Sequence, residues 1–257
     1  MYFLRLILCI GALSTPLSNL FASNQSGIEA IQNASTQNKY LFIFFYKDMN
    51  EKTNQSMQIF DQTMQKLGDQ SWSIKINTND PSEKLIIDKF NLKRCPIPFV
   101  LVLAPNGAVT GGFTSFTEEQ LISSITSLGA AKCLKALQDR KLVLLCVQND
   151  QTFHNEAALI GVNDFKADQR FANATEIVMI NPADENERKF LNQLSLDVHV
   201  NQAVTVLISP PAEVIGTYHG PIAKEKMIMD LEKASSGCCG SNGCCPGGCC
   251  SGGKCGS

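Results

Sequence analysis

The residues of this chain best suited to chemistry are crowded at its C-terminal end. Residues 237–257 read GCCGSNGCCPGGCCSGGKCGS and hold seven of the chain's eleven cysteines and eight of its eighteen glycines. Three adjacent pairs, Cys238-Cys239, Cys244-Cys245 and Cys249-Cys250, precede a single Cys255. No apolar residue other than sulfur carriers remains to form a core, so the segment is expected to be disordered unless sulfur holds it. Three chemistries fit. Thiolates are soft ligands for copper(I) or zinc, and glycine lets the backbone bend round an ion. Seven thiolates exceed the four of one tetrahedral zinc site, and the gaps between pairs are not the two-residue gaps of zinc fingers, so the likeness is to a metallothionein-type composition. Vicinal thiols could instead pass electrons by exchange, because a bond between adjacent cysteines is strained and reducible. An odd number of cysteines also suits disulfide crosslinking to another chain or a surface layer. The plain alternative is a low-complexity tail without a specific role.

Elsewhere reactive residues are sparse. Cys146 ends an apolar run and reads as a core thiol. Cys133 lies on a helical stretch, and a Cys133–Cys146 bridge depends on geometry that spacing does not supply. His154, His199 and His219 are far apart and have no helical ligand spacing. No phosphate loop and no Gly-x-Ser-x-Gly is present. The net charge of −2, with no block of like charge, gives no electrostatic reason for a nucleic-acid partner.

The first 22 residues read as a secretory signal: Arg5, then the apolar run Leu6–Leu13, then small and polar residues up to a cleavage point after Ala22. That run is far short of the ~20 residues a membrane span needs, so no integral membrane segment is expected after its removal. Cys9 would leave with the signal. Export, to a periplasm or outside the cell, would place the remaining thiols where disulfides persist. Asn24, Asn33, Asn54 and Asn173 each head an Asn-x-Ser/Thr triplet, an acceptor in a eukaryotic secretory route.

The elements that must position any site occur twice. Phe99–Phe113 (FVLVLAPNGAVTGGF) aligns without a gap on Val204–Tyr218 (VTVLISPPAEVIGTY), each a strand, a turn and a strand. The apolar runs Tyr40–Tyr46 and Leu142–Gln148 also recur, and near-continuous apolarity marks strands buried on both faces. In the first half the pattern predicts a helix over 27–38, the strand at 40–46, and a helix over 51–67 with Met57, Phe60, Met64 and Leu67 on one face. A strand over 72–76 follows, then a helix opened by Asp80-Pro81-Ser82-Glu83 and ending near Phe90. The hairpin comes next, then a helix from Thr117 with Glu119 or Gln120 at its capping-box position. The second half has its middle strand over 176–180 and helices over 186–194 and 222–233. Each half is large enough for one core.

This order, with Ile97-Pro98-Phe99 leading into the third strand, resembles the thioredoxin fold. The expected architecture is α/β: two tandem thioredoxin-like domains, each a mixed central sheet flanked by helices, over 24–129 and, in degenerate form, 130–234, then the Cys/Gly-rich tail over 235–257. The resemblance implies a cis-proline at Pro98, with Pro96 the runner-up, and a loop of Pro96, Ile97 and Pro98 that would dock a protein or peptide partner. It also implies two redox cysteines, two residues apart, at the start of the helix after the first core strand. That region reads Tyr46–Asn54 and has none; nor does Gln148–Phe153, and position 203, opposite Pro98, is alanine. Cys95, flanked by Lys93 and Arg94, is the one thiol beside the proline loop, and the only catalytic candidate within the domains. The reading is therefore a redox-inactive binding protein with no certain cofactor and copper or zinc on the tail. A thiol-disulfide oxidoreductase using the tail cysteines is the alternative.

Overall fold

A computed structural model describes residues 26–236, Val198 excepted. The signal segment, Asn24 and the seven tail cysteines lie outside the described residues.

The first unit runs α1 (Gly27–Thr36), β1 (Tyr40–Tyr46), α2 (Glu51–Leu67), β2 (Ser71–Asn77), α3 (Lys84–Lys89), β3 (Phe99–Leu103), β4 (Val109–Phe113) and α4 (Glu118–Ser123). The second repeats it as α5 (Leu128–Gln138), β5 (Leu142–Val147), α6 (Asn155–Ala167), β6 (Thr175–Ile180), α7 (Arg188–Gln193), β7 (Val204–Ser209), β8 (Glu213–His219) and α8 (Lys224–Ser236). The boundary expected at 129/130 falls inside the first turn of α5. Both sheets have one plan: β2-β1-β3-β4 and β6-β5-β7-β8, with the first pair parallel and the others antiparallel. Each is a mixed sheet between helices, the thioredoxin-like arrangement, made twice.

The apolar central strands dictate this layering. Because side chains alternate along a strand, Leu41, Ile43 and Phe45 enter the core under α1 and α3, while Phe42 and Phe44 enter the core under α2 and α4. Phe60 of α2 sits with its ring 5.3 Å from that of Phe44. Fully burying such a side chain is worth about 1.5–3 kcal/mol, so a strand apolar on both faces holds two helix layers at once. In the second unit Val143, Leu145 and Val147 face one way and Leu144 and Cys146 the other. This separates two thiols: Cys133 of α5 lies in the first of these cores and Cys146 in the second, on opposite faces of the sheet. A Cys133–Cys146 bridge is thereby ruled out, and both are free thiols.

Helix ends follow local chemistry. Thr117 and Gln120 form the capping box of α4. α1 stops at Thr36, two residues short of the expected end at Asn38, which at φ 53° turns the chain toward β1. In α6, Gly161 lies so close to the Ile222 carbonyl oxygen that no side chain fits between them.

Candidate functional site

The proline loop is built from α3 onward. Asn91, at φ 52°, ends the helical run, and Leu92–Arg94 forms one 3₁₀ turn closed by the Cys95 amide on the Leu92 carbonyl at 3.0 Å. Cys95 and Ile97 are half-buried, Pro96 is exposed and Pro98 is buried. The Ile97-Pro98 peptide bond is cis; Pro210-Pro211, in the turn of the second hairpin, is cis as well. Phe99 then enters β3 opposite Phe45, their rings stacked at 6.5 Å. Because Phe45 pairs with Phe99, the chain leaving β1 through residues 47–50 runs beside the loop that enters β3. Met49 on that chain is 58 % exposed. Met49, Pro96, Ile97 and Phe99 thus give this end of the first sheet an apolar surface.

Of the two cations flanking Cys95, Lys93 is already engaged, with its Nζ 2.6 Å from Asp88 Oδ1. Lys84 bonds the other oxygen of the same carboxylate. These two lysines, Lys84 foremost, hold the Asp88 carboxyl down at about 2. Lys93 therefore serves Asp88 rather than a thiolate at Cys95.

The helix starts hold what the sequence reading missed. Counting five and eight residues past the paired strand ends Phe45 and Val147 reaches Asn50 and Thr53 in one unit, and Thr152 and Asn155 in the other. The first pair, separated by two residues, opens α2 at its N-cap, where a redox cysteine pair would begin; in the second unit the longer connection leaves Thr152 two residues before the α6 N-cap, His154, with Asn155 the first residue of that helix. Asn50 caps α2, its Oδ1 accepting the Thr53 amide at 2.9 Å, and Thr53 is buried. Thr152 is buried too; its hydroxyl lies 2.7 Å from Asn155 Oδ1 and 2.8 Å from the Asn149 carbonyl, and Asn155 Nδ2 donates to that carbonyl at 2.7 Å. Hydrogen-bonded polar pairs fill both positions. The signal in the sequence is a polar pair with one spacing at one distance from each strand end.

Ala203 is buried opposite Pro98's place, and its amide donates to the Phe153 carbonyl at 2.9 Å. His154, His199 and His219 are all exposed, and among the described residues no group of three or more His, Cys, Asp or Glu side chains could hold a metal ion. No described helix is long and apolar enough to cross a membrane.

No protein-family model matches the sequence, and no curated protein matches it either. Solved structures similar to this chain are thioredoxin-fold proteins. The first two thioredoxin domains of Saccharomyces cerevisiae Eps1p match over 84 % of this chain and 98 % of that one, at 12 % identity and TM-score 0.31. The germline-specific thioredoxin Deadhead of Drosophila melanogaster matches over 40 % of this chain and 93 % of its own, at 16 % identity and TM-score 0.32. Thioredoxin O2 of Arabidopsis thaliana matches over 37 % and 80 %, at 14 % identity and TM-score 0.32. The chain's own strand order and repeat, present in both sheets, make it a tandem thioredoxin-like protein in fold.

Proposed function

We propose that this protein is an exported, redox-inactive binding protein: its first domain docks an extended protein or peptide segment at the Pro96–Pro98 loop, and its Cys/Gly tail holds a soft metal ion of the copper or zinc type. One observation carries the redox-inactive part. No cysteine stands at either chain entry to a helix: Asn50 caps α2 by accepting the Thr53 amide, and the Thr152 hydroxyl lies on Asn155 Oδ1 where the chain enters α6. The apolar surface of Met49, Pro96, Ile97 and Phe99 supports docking, since an extended chain can lie along an open loop beside a sheet. The signal-like residues 1–22 support export, and seven tail cysteines among glycines support thiolate capture of a soft cation.

The test is native mass spectrometry of the mature protein, purified without oxygen, beside a variant lacking 237–257. Bound copper or zinc that disappears with the deletion supports the reading. A metal-free tail with the mass deficits of paired thiols, or covalent dimers, overturns the metal part in favour of exchange or crosslinking. Cys95, free and half-buried beside Pro98, favours a second reading as a thiol-disulfide oxidoreductase fed by the tail. Reduction of insulin or glutathione disulfide, lost on deleting 237–257 or on Cys95→Ser, would establish it; no turnover by the intact chain removes it.

A further inference from the structure

The two repeats differ most where their helices start. Four residues, 47–50, join β1 to α2, but seven, 148–154, join β5 to α6. The longer connection folds back on its own domain. Phe153 forms an isolated parallel bridge with Gln202. Its amide donates to the Asn201 carbonyl at 2.9 Å, and its carbonyl accepts the Ala203 amide at 2.9 Å. Residues 201–203 hold the same place before β7 that 96–98 hold before β3. The backbone makes the contact; the Phe153 ring is 67 % exposed.

The connection is secured from behind. Asn149 accepts and donates around Thr152, with its amide 2.9 Å from the Thr152 hydroxyl, and Asn155 Nδ2 ties down the Asn149 carbonyl. His154, at φ 65°, then turns the chain into α6. The first domain cannot copy this. Pro98 has no amide hydrogen to give where Ala203 gives one, and no backbone hydrogen bond joins 47–50 to 95–98. The alanine at 203 and the longer connection thus work together: one supplies the donor, the other supplies the reach.

We propose that Phe153 is a built-in extended ligand that closes the second domain's docking edge, so that each protein presents one open edge, the 95–98 loop of the first domain. This rests on the docking reading above for its consequence, and on the Phe153 bridge alone for the closure.

Amide hydrogen exchange on the full mature chain tests the closure without any partner. The Phe153 and Ala203 amides should be slowed at least about tenfold relative to free peptide. Ala203→Pro deletes the donor and should speed exchange over 149–153 at least about tenfold, with β5 and β7 amides unchanged. Where that variant fails to fold, Asn155→Ala, which releases the Asn149 carbonyl, should loosen the same segment. Free exchange at Phe153 and Ala203 in the wild type, or no change in 149–153 in a folded variant, overturns the closure. Docking is tested separately. A heptapeptide selected from a random displayed library against the mature chain should bind once per chain, lose binding with Ile97→Asp and keep it with Gln202→Asp. Two sites per chain, or loss with Gln202→Asp, overturns the single open edge. If no peptide is selected, the docking reading fails while the exchange result still decides the closure.

Discussion

Glu187 accepts the backbone amide of Gly129 at 2.8 Å across 58 residues of sequence, and both are buried. The first domain makes the same bond: Glu83 accepts the Gly27 amide at 2.9 Å across 56 residues. In each case a carboxylate from the 3₁₀ turn before α3 or α7 meets the first turn of the domain's opening helix, where unpaired amides and the helix dipole favour negative charge. The turns are themselves alike, with Asp80 accepting the Ser82 amide and Asp184 the Asn186 amide. Each glycine leaves the room: a Cβ at Gly129 would stand 2.7 Å from Glu187 Oε2 and 2.5 Å from Ile180 Cδ1.

Glu83→Ala and Glu187→Ala should therefore each strand a buried amide and lower stability by about 1–3 kcal/mol. Glu→Gln at either site keeps an acceptor oxygen and should lose less. Gly129→Ala forces an added methyl into the same space, and overpacking costs about 1–3 kcal/mol. Urea unfolding midpoints of the variants check this; equal midpoints for Glu187→Ala and wild type would show that the bond carries no stability.

The helix α5 belongs to both domains. Its Ala131 and Leu134 pack in the first domain's core, while Cys133, Ala136 and Leu137 pack in the second's. Gln138 brackets β4, its Oε1 accepting the Val109 amide at 2.9 Å and its Nε2 donating to the Val109 carbonyl at 2.7 Å, and Asn106 Nδ2 donates to the Ala131 carbonyl at 2.8 Å. The two domains should unfold together. Trp72, the only tryptophan, reports on the first domain. Its fluorescence melt should coincide with the far-ultraviolet circular dichroism melt in the wild type. In an Asn106→Ala, Gln138→Ala double variant, which loses these three bonds to α5 and the Asn106 bond that accepts the Ala108 amide, at about 0.5–1.5 kcal/mol each, the two curves should separate.

The strands, the repeat and the hairpins were legible because continuous apolarity and alternating burial are local properties of sequence: Tyr40–Tyr46 can be little other than a central strand. The absence of a redox pair after β1 was equally plain, since cysteine is either written there or not. Long-range contacts were not legible. Nothing near Glu187 announces Gly129, and Ala203 reads as a missing proline until its amide is seen on Phe153. The polar pairs at Asn50–Thr53 and Thr152–Asn155 were open to inspection but carry meaning only once β1 and β5 are aligned through their partners. The shared role of α5 was hidden for the opposite reason. A helix with small residues on two faces resembles any amphipathic helix until both neighbours are known.

Thiol reactivity should divide the cysteines by place. Burial, the largest cause at each, pushes the Cys133 and Cys146 thiols up to about 12 from 9.0. Near neutral pH that rise cuts the thiolate fraction about a thousandfold, since each pKa unit is a factor of ten. In the mature chain lacking 237–257, iodoacetamide should label Cys95 in the folded protein and reach Cys133 and Cys146 only after denaturation. Peptide mapping of the label decides the matter; native labelling of Cys146 would contradict its place on β5 in the core beneath α6 and α8.

Acid should act first on carboxylates held by cations. Asp168, with its side chain 16 % exposed, receives the Arg170 Nε at 3.0 Å, its guanidinium Nη2 at 3.1 Å and its amide at 3.1 Å. The Arg170 side chain foremost lowers the Asp168 carboxyl to about 2. A folded-state value below the unfolded one means stabilisation that is complete above about pH 4 and lost as pH falls through about 2. Stability should therefore decline across that window, and Asp168→Asn, which cannot ionise, should flatten part of the decline while leaving the plateau above pH 5 lower. Raising salt should shrink the difference, because the pair lies at the surface within reach of counterions. Urea midpoints taken at successive pH values, at low and high salt, test both. If Asp168→Asn follows the wild-type curve throughout, the Arg170 pair orders the turn before β6 without adding to stability.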